Sequence, residues 1–221
     1  MDIATYYDRL ARGYDSNRFG NSYGQFLHRR ELEILHRLLP EFSQKTLDIG
    51  CGTGRLTSLA TDGLDQSREM LHVAQGKHPD KKFTEGDARK LPFEDATFEA
   101  AFCIHVVMHL PENELVTLFS EAWRVLKTGG TFVVDFPSRK RRNLLGYRAS
   151  GWHGATSFDL NSLEKLVGPG WKIRRSEGLL MWPVQRFPAA IRPFFLWPDF
   201  IFGKSWLHGW SSYLFVSLEK V

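Results

Sequence analysis

A single glycine-rich turn, TLDIGCGTGRLT at residues 46–57, constrains the fold more than any other feature of this chain. Its three glycines are Gly50, Gly52 and Gly54. Because glycine has no Cβ, the backbone can turn tightly there and approach a ligand closely. A strand over Lys45–Ile49 before the turn and a helix over Arg55–Ala60 after it predict a βα unit of an α/β sheet. The free amides at the start of that helix would face an electronegative ligand group.

Beyond the turn, strand and helix patterns alternate. The predicted strands include Gly63–Leu64, Lys82–Phe83, Phe98–Ile104, Thr131–Phe136, Lys172–Leu180 and Ser212–Glu219, and the predicted helices include Ser67–Gln75, Asn113–Leu126 and Phe158–Val167. This order calls for parallel strands joined by right-handed crossovers. We therefore expect an α/β, Rossmann-like, doubly wound sheet of seven mostly parallel strands with an antiparallel last strand.

The first forty residues have a different pattern. Apolar residues recur at helical spacing over residues 24–39, and Pro40 stops them. With a shorter helix or helix-turn in YYDRLARGYD, they predict an N-terminal helical flap over residues 1–40. The length of 221 residues fits one domain, in which 41–136 form the cofactor-binding core and 137–221 the substrate-side and sheet-closing segment.

Three acids follow three successive predicted strands. Asp48 precedes the glycine turn, Asp65 lies in GLDQS and Asp87 lies in EGDARKLPF. The carboxyl ends of parallel strands share one edge of the sheet, where open α/β folds bind ligands. Carboxylates at that edge repel a pyrophosphate and suit a ligand with an ammonium group and a ribose. The spacing GxGxG also departs from the GxGxxG of dinucleotide sites.

These motifs together resemble the class I S-adenosylmethionine-dependent methyltransferases, in the small-molecule branch of ubiquinone/menaquinone-type and sugar or natural-product O-methyltransferases. The matching stretches are YYDRLARGYD, LDIGCGTG, GLDQSREML, EGDARKLPFEDATFE, HVVMHLPE and EAWRVLKTGGTFVV, which run from Tyr6 to Val134. The resemblance implies S-adenosylmethionine as cofactor, S-adenosylhomocysteine as product and no metal. One departure is that only ten residues separate Gly54 from Asp65, which implies a truncated first helix and second strand.

Carried over by position, the resemblance implies a set of cofactor-binding residues. The methionine end would meet Asp48, Gly50, Cys51, Gly52, Gly54 and Tyr14; the adenosine would meet Asp65, Gln66, Met70, Asp87 and Ala88; and Cys103 and Ile104 would lie near the sulfonium. Among these, Asp65 would accept hydrogen bonds from the ribose hydroxyls, and Asp87 would accept one from the adenine amino group.

A hydroxyl acceptor needs a base, and histidine is the obvious candidate. His109 follows the fourth predicted strand, and Asp135 at the end of the fifth would orient it. The alternative for His109 is a role in capping or loop packing. His105 is a second candidate base, and its alternative is a place in the pocket wall. His153 in GWHGATSF could reach in from a glycine-rich loop, but an exposed position in that loop is favoured.

Composition narrows the remaining choices. The two cysteines are far apart and show no CxxC spacing, which predicts neither a zinc site nor a disulfide framework and fits a cytoplasmic location. The net charge is +4. The basic run at 139–142 either grips an anionic substrate group or is a solvated surface. The aromatic tract at 181–210 forms a substrate wall, a membrane face or a dimer contact.

These observations predict a methyltransferase of a small organic acceptor, with O-methylation of an apolar or amphiphilic metabolite that can carry an anionic group. N- or C-methylation by positioning alone is the alternative. Nucleic-acid modification is disfavoured because no Asn/Asp-Pro-Pro-aromatic motif follows the fourth predicted strand and no basic recognition domain is appended. The sequence leaves the oligomeric state open.

Overall fold

The computed structural model describes residues 3–40, 45–148 and 154–221. Within them, seven strands form one sheet: β1 (Thr46–Ile49), β2 (Asp62–Asp65), β3 (Lys82–Glu85), β4 (Phe98–Cys103), β5 (Leu126–Pro137), β6 (Trp171–Leu179) and β7 (Tyr213–Lys220). The order across the sheet is β3-β2-β1-β4-β5-β7-β6. Strands β1 to β6 share one direction, and β7 runs antiparallel to both of its neighbours. The predicted doubly wound fold is confirmed.

The strand order reverses between β1 and β4. From β1 the chain builds outward through β2 to β3, and it then crosses back to place β4 on the other side of β1. At such a switch point the connections leave the two strands in opposite directions, which opens a crevice at their carboxyl ends. The glycine turn after β1 and the segment after β4 meet in this crevice.

Helices cover both faces of the sheet. Their bounds are α1 (Ile3–Leu10), α2 (Tyr14–Phe19), α3 (Ser22–Leu38), α4 (Arg68–Lys77), α5 (Glu112–Val125), α6 (Arg139–Leu144), α7 (Leu160–Val167) and α8 (Leu196–Lys204). Alternation along β5 serves both faces: Phe132 and Val134 pack into the core formed with α5, and Val133 packs into the core formed with α3. No helix in the described part of the chain is both long and apolar enough to cross a bilayer.

The N-terminal flap contains three helices. Helix α3 begins after Asn21, whose side chain accepts hydrogen bonds from the amides of Tyr23 and Gly24 at 3.0 Å each. It ends at Leu38, two residues before Pro40. The predicted long helix is therefore present, and the shorter predicted helix is divided into α1 and α2.

The helix predicted over Arg55–Ala60 is wrong. A single 3₁₀ turn, Thr57–Leu59, stands in its place. Because β2 begins at Asp62, the seven residues after Gly54 cannot complete two helical turns and still return to the sheet. The truncation implied by the short spacing thus removes the first α-helix of the fold.

The C-terminal tract between β6 and β7 is irregular, as its prolines predict. It consists of short 3₁₀ turns around the nine-residue α8. Because β6 ends and β7 begins at the carboxyl edge of the sheet, the tract lies on the same edge as the glycine turn.

Candidate active site

The glycine turn is held tightly against β2. The amides of Gly50 and Cys51 both donate to the carbonyl of Leu64, at 2.7 and 2.9 Å. Gly50 has a φ of +74°, and a Cβ there would lie 2.3 Å from Cγ2 of Val106. Gly52 has a φ of +53°, and nothing lies within 4 Å of the position its Cβ would take. The first glycine therefore permits a close backbone approach, and the second leaves open space for a ligand.

A cavity opens beside this turn and collects most of the predicted cofactor residues. Those that line it are Tyr14, Asp48, Gly50, Cys51, Gly52, Asp65, Gln66, Met70, Asp87, Ala88 and Ile104. Gly54 and Cys103 do not line it. Gly54 faces Ala74 and His78 on α4 and its C-cap, and Cys103 is wholly buried in the core, where burial raises the pKa of its thiol.

Asp48 is the most deeply buried acid of the cavity wall. Its carboxylate accepts a 2.7 Å hydrogen bond from the hydroxyl of Thr57. Burial disfavours the charged form and raises the pKa of Asp48 to about 7. A cation in the cavity would restore the charge on this carboxylate, whereas a phosphate would oppose it.

Asp65 and Asp87 form the rest of the acidic wall. The two oxygens of Asp65 accept 2.8 Å hydrogen bonds from the amides of Gly52 and Ser67, and burial raises the pKa of this carboxyl. Each oxygen keeps a lone pair for a ribose hydroxyl. Burial also opposes ionisation of Asp87, but hydrogen bonds from Arg89 outweigh it and lower the pKa.

This donor set fits S-adenosylmethionine. The cofactor carries no phosphate, and its ammonium, sulfonium, ribose hydroxyls and adenine amino group all suit carboxylate oxygens. The helix expected after the turn is absent, which also removes the helix N-terminus that a phosphate would need.

The N-terminal flap closes the cavity. Asp8 accepts a 2.5 Å hydrogen bond from the hydroxyl of Ser67. Asp15 accepts a 2.7 Å hydrogen bond from the hydroxyl of Thr53 and forms an ion pair with Lys77. These contacts tie α1 and α2 to the loops that would hold the cofactor.

His105 is the centre of a buried charged cluster. Its residue adopts a left-handed backbone with a φ of 63°, and its amide donates to Asp135 at 2.6 Å. The imidazole lies between two carboxylates, with Nε2 2.6 Å from Glu31 and Nδ1 3.3 Å from Asp135. Arg55 completes the cluster with a 2.5 Å ion pair to Glu31.

Burial and the neighbouring charges shift the pKa of His105, Glu31 and Asp135, and for Asp135 burial dominates and raises the pKa. Burial lowers the pKa of His105, but the two carboxylates outweigh it, so the net shift is upward. Burial raises the pKa of Glu31, but Arg55 and His105 outweigh it and bring the pKa to about 2. The two carboxylates therefore favour protonation of His105, which lines the cavity.

The structure gives Asp135 a different partner from the one predicted. Asp135 faces the ring and the backbone of His105, whereas it was predicted to orient His109. The reason is the short distance along the chain: His105 is the second residue after β4, directly beside the end of β5, and its left-handed backbone turns the ring toward that strand.

His109 also lines the cavity, with other neighbours. Its Nδ1 accepts a 3.3 Å hydrogen bond from the amide of Gly154, and its Nε2 lies 3.2 Å from the hydroxyl of Tyr7. Because Nδ1 accepts, this network assigns the proton of the neutral ring to Nε2. Burial raises the pKa of Tyr7, which keeps its hydroxyl protonated. His153 lies outside the described residues.

Sequence reasoning missed three residues of the site: Tyr7, Glu31 and Arg55. A signal for Glu31 exists, because it falls on the buried face of α3 with Ile34, Leu35 and Leu38, where a lone carboxylate needs a partner. Tyr7 stands in the flap motif beside Tyr14, and Arg55 directly follows the last glycine of the turn.

The basic run does not line the cavity. The Arg141 guanidinium donates to the carbonyls of Met181 and Trp210, at 2.9 and 2.8 Å. Arg142 donates to the carbonyl of Gly154 at 2.7 Å. These two arginines hold loops together. Among the described residues, no cluster of His, Cys, Asp and Glu has the arrangement of a metal site.

Comparison with known proteins agrees with this geometry. Residues 47–134 match the family model described as a methyltransferase domain. A sterol 24-C-methyltransferase of Gibberella zeae is 33% identical over 129 residues, in a match that covers 52% of this chain and 33% of that protein. This chain thus spans about a third of the length of that curated relative.

Two solved structures share the fold. A methyltransferase of Thermotoga maritima, described as S-adenosylmethionine-dependent and a possible histamine N-methyltransferase, superposes with a TM-score of 0.72 at 20% identity, covering 99% of this chain and 100% of that one. Phosphoethanolamine N-methyltransferase 1 of Haemonchus contortus, solved with phosphoethanolamine and S-adenosylhomocysteine, gives a TM-score of 0.66 at 18% identity, covering 98% and 48%.

The family match spans the same strands that build the cavity. It begins in β1, ahead of the glycine turn, and ends in β5, next to the residue that contacts His105. Residues 47–134 thus match a methyltransferase domain, and the sheet has the fold of solved methyltransferases.

Proposed function

We propose that this chain transfers a methyl group from S-adenosylmethionine to a small apolar or amphiphilic acceptor. The observation that carries the proposal is the acidic wall of the cavity, formed by Asp48, Asp65 and Asp87. This wall suits a cationic, phosphate-free nucleoside because burial has already raised the pKa of its two innermost carboxyls.

The bound cofactor supplies a methyl group that is already activated by positive sulfur. The chain then has to position that methyl group and exclude water. Asp65 is proposed to hold the ribose hydroxyls, Asp87 and the Ala88 amide to hold the adenine, and Asp48 to balance the positive charge of the methionine part. Closure of the flap through Asp8 and Asp15 supports water exclusion.

The acceptor is proposed to occupy the part of the cavity lined by the flap and the segment after β4. This part is mostly apolar and aromatic, with Ile3, Tyr7, Phe19, Val106 and Leu110. Such a lining favours an acceptor with a large apolar surface. The arginines of the basic run hold backbone carbonyls, so this run gives no support to an anionic group on the acceptor.

O-methylation with His109 as general base stays a prediction. A base must present an open lone pair to the acceptor hydroxyl. In the observed arrangement Nδ1 of His109 accepts from Gly154, and Nε2 faces Tyr7. The ring of His105 faces Glu31 through Nε2 and Asp135 through Nδ1, so both of its nitrogens are engaged. Proton removal by His109 would therefore require its hydrogen bond to Gly154 to open.

C-methylation is the second candidate. It is favoured by the two engaged imidazoles, because an electron-rich carbon attacks a methyl group without first losing a proton to a side chain. It is also the reaction named for the curated sterol relatives. In that reaction a carbon–carbon bond forms as the methyl–sulfur bond breaks, and the acceptor loses a proton afterwards.

The test is methyl transfer from cofactor with a radiolabelled methyl group into the organic and aqueous fractions of a cell extract. We expect label in a compound of the organic fraction, with a mass gain of one methylene, and none with Asp65→Ala. Asp80→Ala, at a 73% exposed side chain, is the control and should retain activity. A chain that binds the cofactor but labels no compound contradicts the proposal.

Variants separate the two acceptor chemistries. If His109 is the base, His109→Ala lowers the turnover by about 100-fold or more. If carbon is methylated by positioning, the same variant changes the turnover only a few-fold, and NMR of the product places the new methyl group on carbon.

A further inference from the structure

Helix α8 buries its one carboxylate and exposes two of its large apolar side chains. Within it, the buried residues are Asp199 and Gly203, whereas Trp197 is 72% and Ile201 43% exposed. Asp199 is held by Arg30 at 3.2 Å and by the amide of Met181 at 2.8 Å. A surface helix ordinarily turns its apolar face to the core, so the exposed face of α8 requires an explanation.

The apolar exposure extends beyond α8. We define the aromatic–basic surface as the exposed side chains of residues 139–148 and 182–210. Its most exposed apolar members include Leu144 (69%), Leu145 (66%), Phe194 (77%), Trp197 (72%) and Trp206 (86%). The two segments are joined by the contacts of Arg141 to Met181 and Trp210 and by a 2.6 Å hydrogen bond from Ser138 to Gly209. Apolar exposure of this extent marks an interaction site.

The charge of the surface is of one sign. The two segments carry eight Lys and Arg and one acid, and that acid is the buried Asp199. Lys140, Arg186 and Lys204 are exposed within them. The whole chain has 29 Lys and Arg against 25 Asp and Glu, so the rest of the chain has an excess of acids. The positive charge of the protein is therefore concentrated on its most apolar surface.

The aromatic–basic surface lies at the sheet edge that holds the cavity. Helix α6 follows directly after β5, whose Asp135 contacts His105. The tract returns to the sheet at Tyr213, whose ring centroid lies 5.8 Å from that of His105. The same cluster thus contacts both the cavity and the base of this surface.

We propose that the aromatic–basic surface docks on the interfacial region of an anionic lipid bilayer. Trp and Phe side chains favour the headgroup level, and Lys and Arg are attracted to anionic headgroups. A second copy of the chain fits poorly, because a two-fold contact would oppose one cationic surface to another. Single-stranded nucleic acid uses stacked aromatic rings, which leaves the exposed Leu144, Leu145 and Ile201 without a role.

The test is flotation of the purified full chain with vesicles, without cofactor. We expect binding to equimolar phosphatidylcholine and phosphatidylglycerol, and much weaker binding to phosphatidylcholine alone. The double variant Trp197→Ser/Trp206→Ser should lose about tenfold or more of this binding. Lys140→Gln/Lys204→Gln should weaken it by about tenfold as well, and binding should fall as salt rises.

The control is Lys165→Gln/Lys172→Gln, which removes two exposed lysines outside the surface. It should leave vesicle binding unchanged, and thermal unfolding should show that both surface variants remain folded. Equal binding to the two vesicle types, or equal loss in the control and surface lysine variants, overturns the proposal. The proposal is also overturned if the chain does not bind vesicles but forms dimers, or binds a single-stranded RNA oligonucleotide, through Trp197 and Trp206. Because no cofactor is present, these outcomes are independent of the proposed methyl transfer.

Discussion

The acidic wall and the C-terminal tract share one edge of the sheet but treat buried charge in opposite ways. Asp48 and Asp65 are buried at the wall, where no ion pair to either is found among the described residues, and the pKa of each is raised. Asp199 in the tract is buried against Arg30, and apolar side chains face outward instead. The acidic wall thus lacks a cation, which favours a cationic ligand. The C-terminal tract lacks a cover for its apolar side chains, which favours an apolar partner.

The largest effect that tests this contrast is expected at Asp199. Asp199→Ala removes the buried partner of the Arg30 Nε, while Glu33 still pairs with Nη1 at 2.6 Å, and it should lower the free energy of unfolding by about 3 kcal/mol. Trp206→Ser, at an 86% exposed side chain, should change it by less than about 0.5 kcal/mol. Urea unfolding measures both. Equal effects would mean that the tract does not bury polar and expose apolar groups as described.

A comparable effect on binding is expected at the acidic wall. Asp65→Ala removes the two oxygens proposed to accept from the ribose and should weaken S-adenosylmethionine binding by about 100-fold, because hydrogen bonds to a charged group contribute about 1.5–3 kcal/mol each. Isothermal titration calorimetry measures the change, with Asp80→Ala as the control. An unchanged affinity in Asp65→Ala would contradict the proposed contact between Asp65 and the ribose.

The pH dependence of binding sharpens the role of Asp48. Its pKa in the free protein is about 7, and a nearby cation lowers a carboxyl pKa. Binding therefore releases a proton, and the affinity for S-adenosylmethionine should fall by about tenfold as the pH drops from about 7 to 5, where the ligand ammonium stays charged. Asp48→Asn should flatten this profile. If Asp48→Asn kept the full pH dependence of affinity, the proton released on binding would come from another group.

The smallest expected change compares two glycines with positive φ and open space around them. Gly52 (φ +53°) lines the cavity, and Gly129 (φ +76°) lies in β5, outside it. Each substitution by alanine should cost about 1 kcal/mol of unfolding free energy from backbone strain. Only Gly52→Ala should also weaken S-adenosylmethionine binding. If both variants bind alike, the cofactor does not pass over Gly52.

Much of the acidic wall could be predicted because its signals are local. Each acid lies next to the strand that positions it, and each glycine of the turn marks a position where the backbone needs a conformation without a Cβ. The strand predicted over Lys45–Ile49 is observed at Thr46–Ile49. The helix predicted after Gly54 was wrong. The prediction assumed the helix that usually follows the glycine turn in this fold, although the connection from Gly54 to β2 is too short for it.

The charged cluster could not be predicted in full because its members meet only in three dimensions. Glu31 lies 74 positions from His105, and Asp135 lies 30 from it. Nothing in the local pattern of α3 selects His105 as the partner of Glu31. The same holds for the 169 positions between Arg30 and Asp199, which decide that α8 faces outward.

Calorimetry of the purified chain with S-adenosylmethionine, S-adenosylhomocysteine and NAD tests the electrostatic character of the cavity most directly. Because Asp48, Asp65 and Asp87 line the cavity and a 3₁₀ turn stands where a helix would follow the glycine turn, we predict saturable binding of the first two ligands and none of NAD. If the chain bound NAD but neither S-adenosylmethionine nor S-adenosylhomocysteine, the proposed electrostatic character of the cavity would be contradicted.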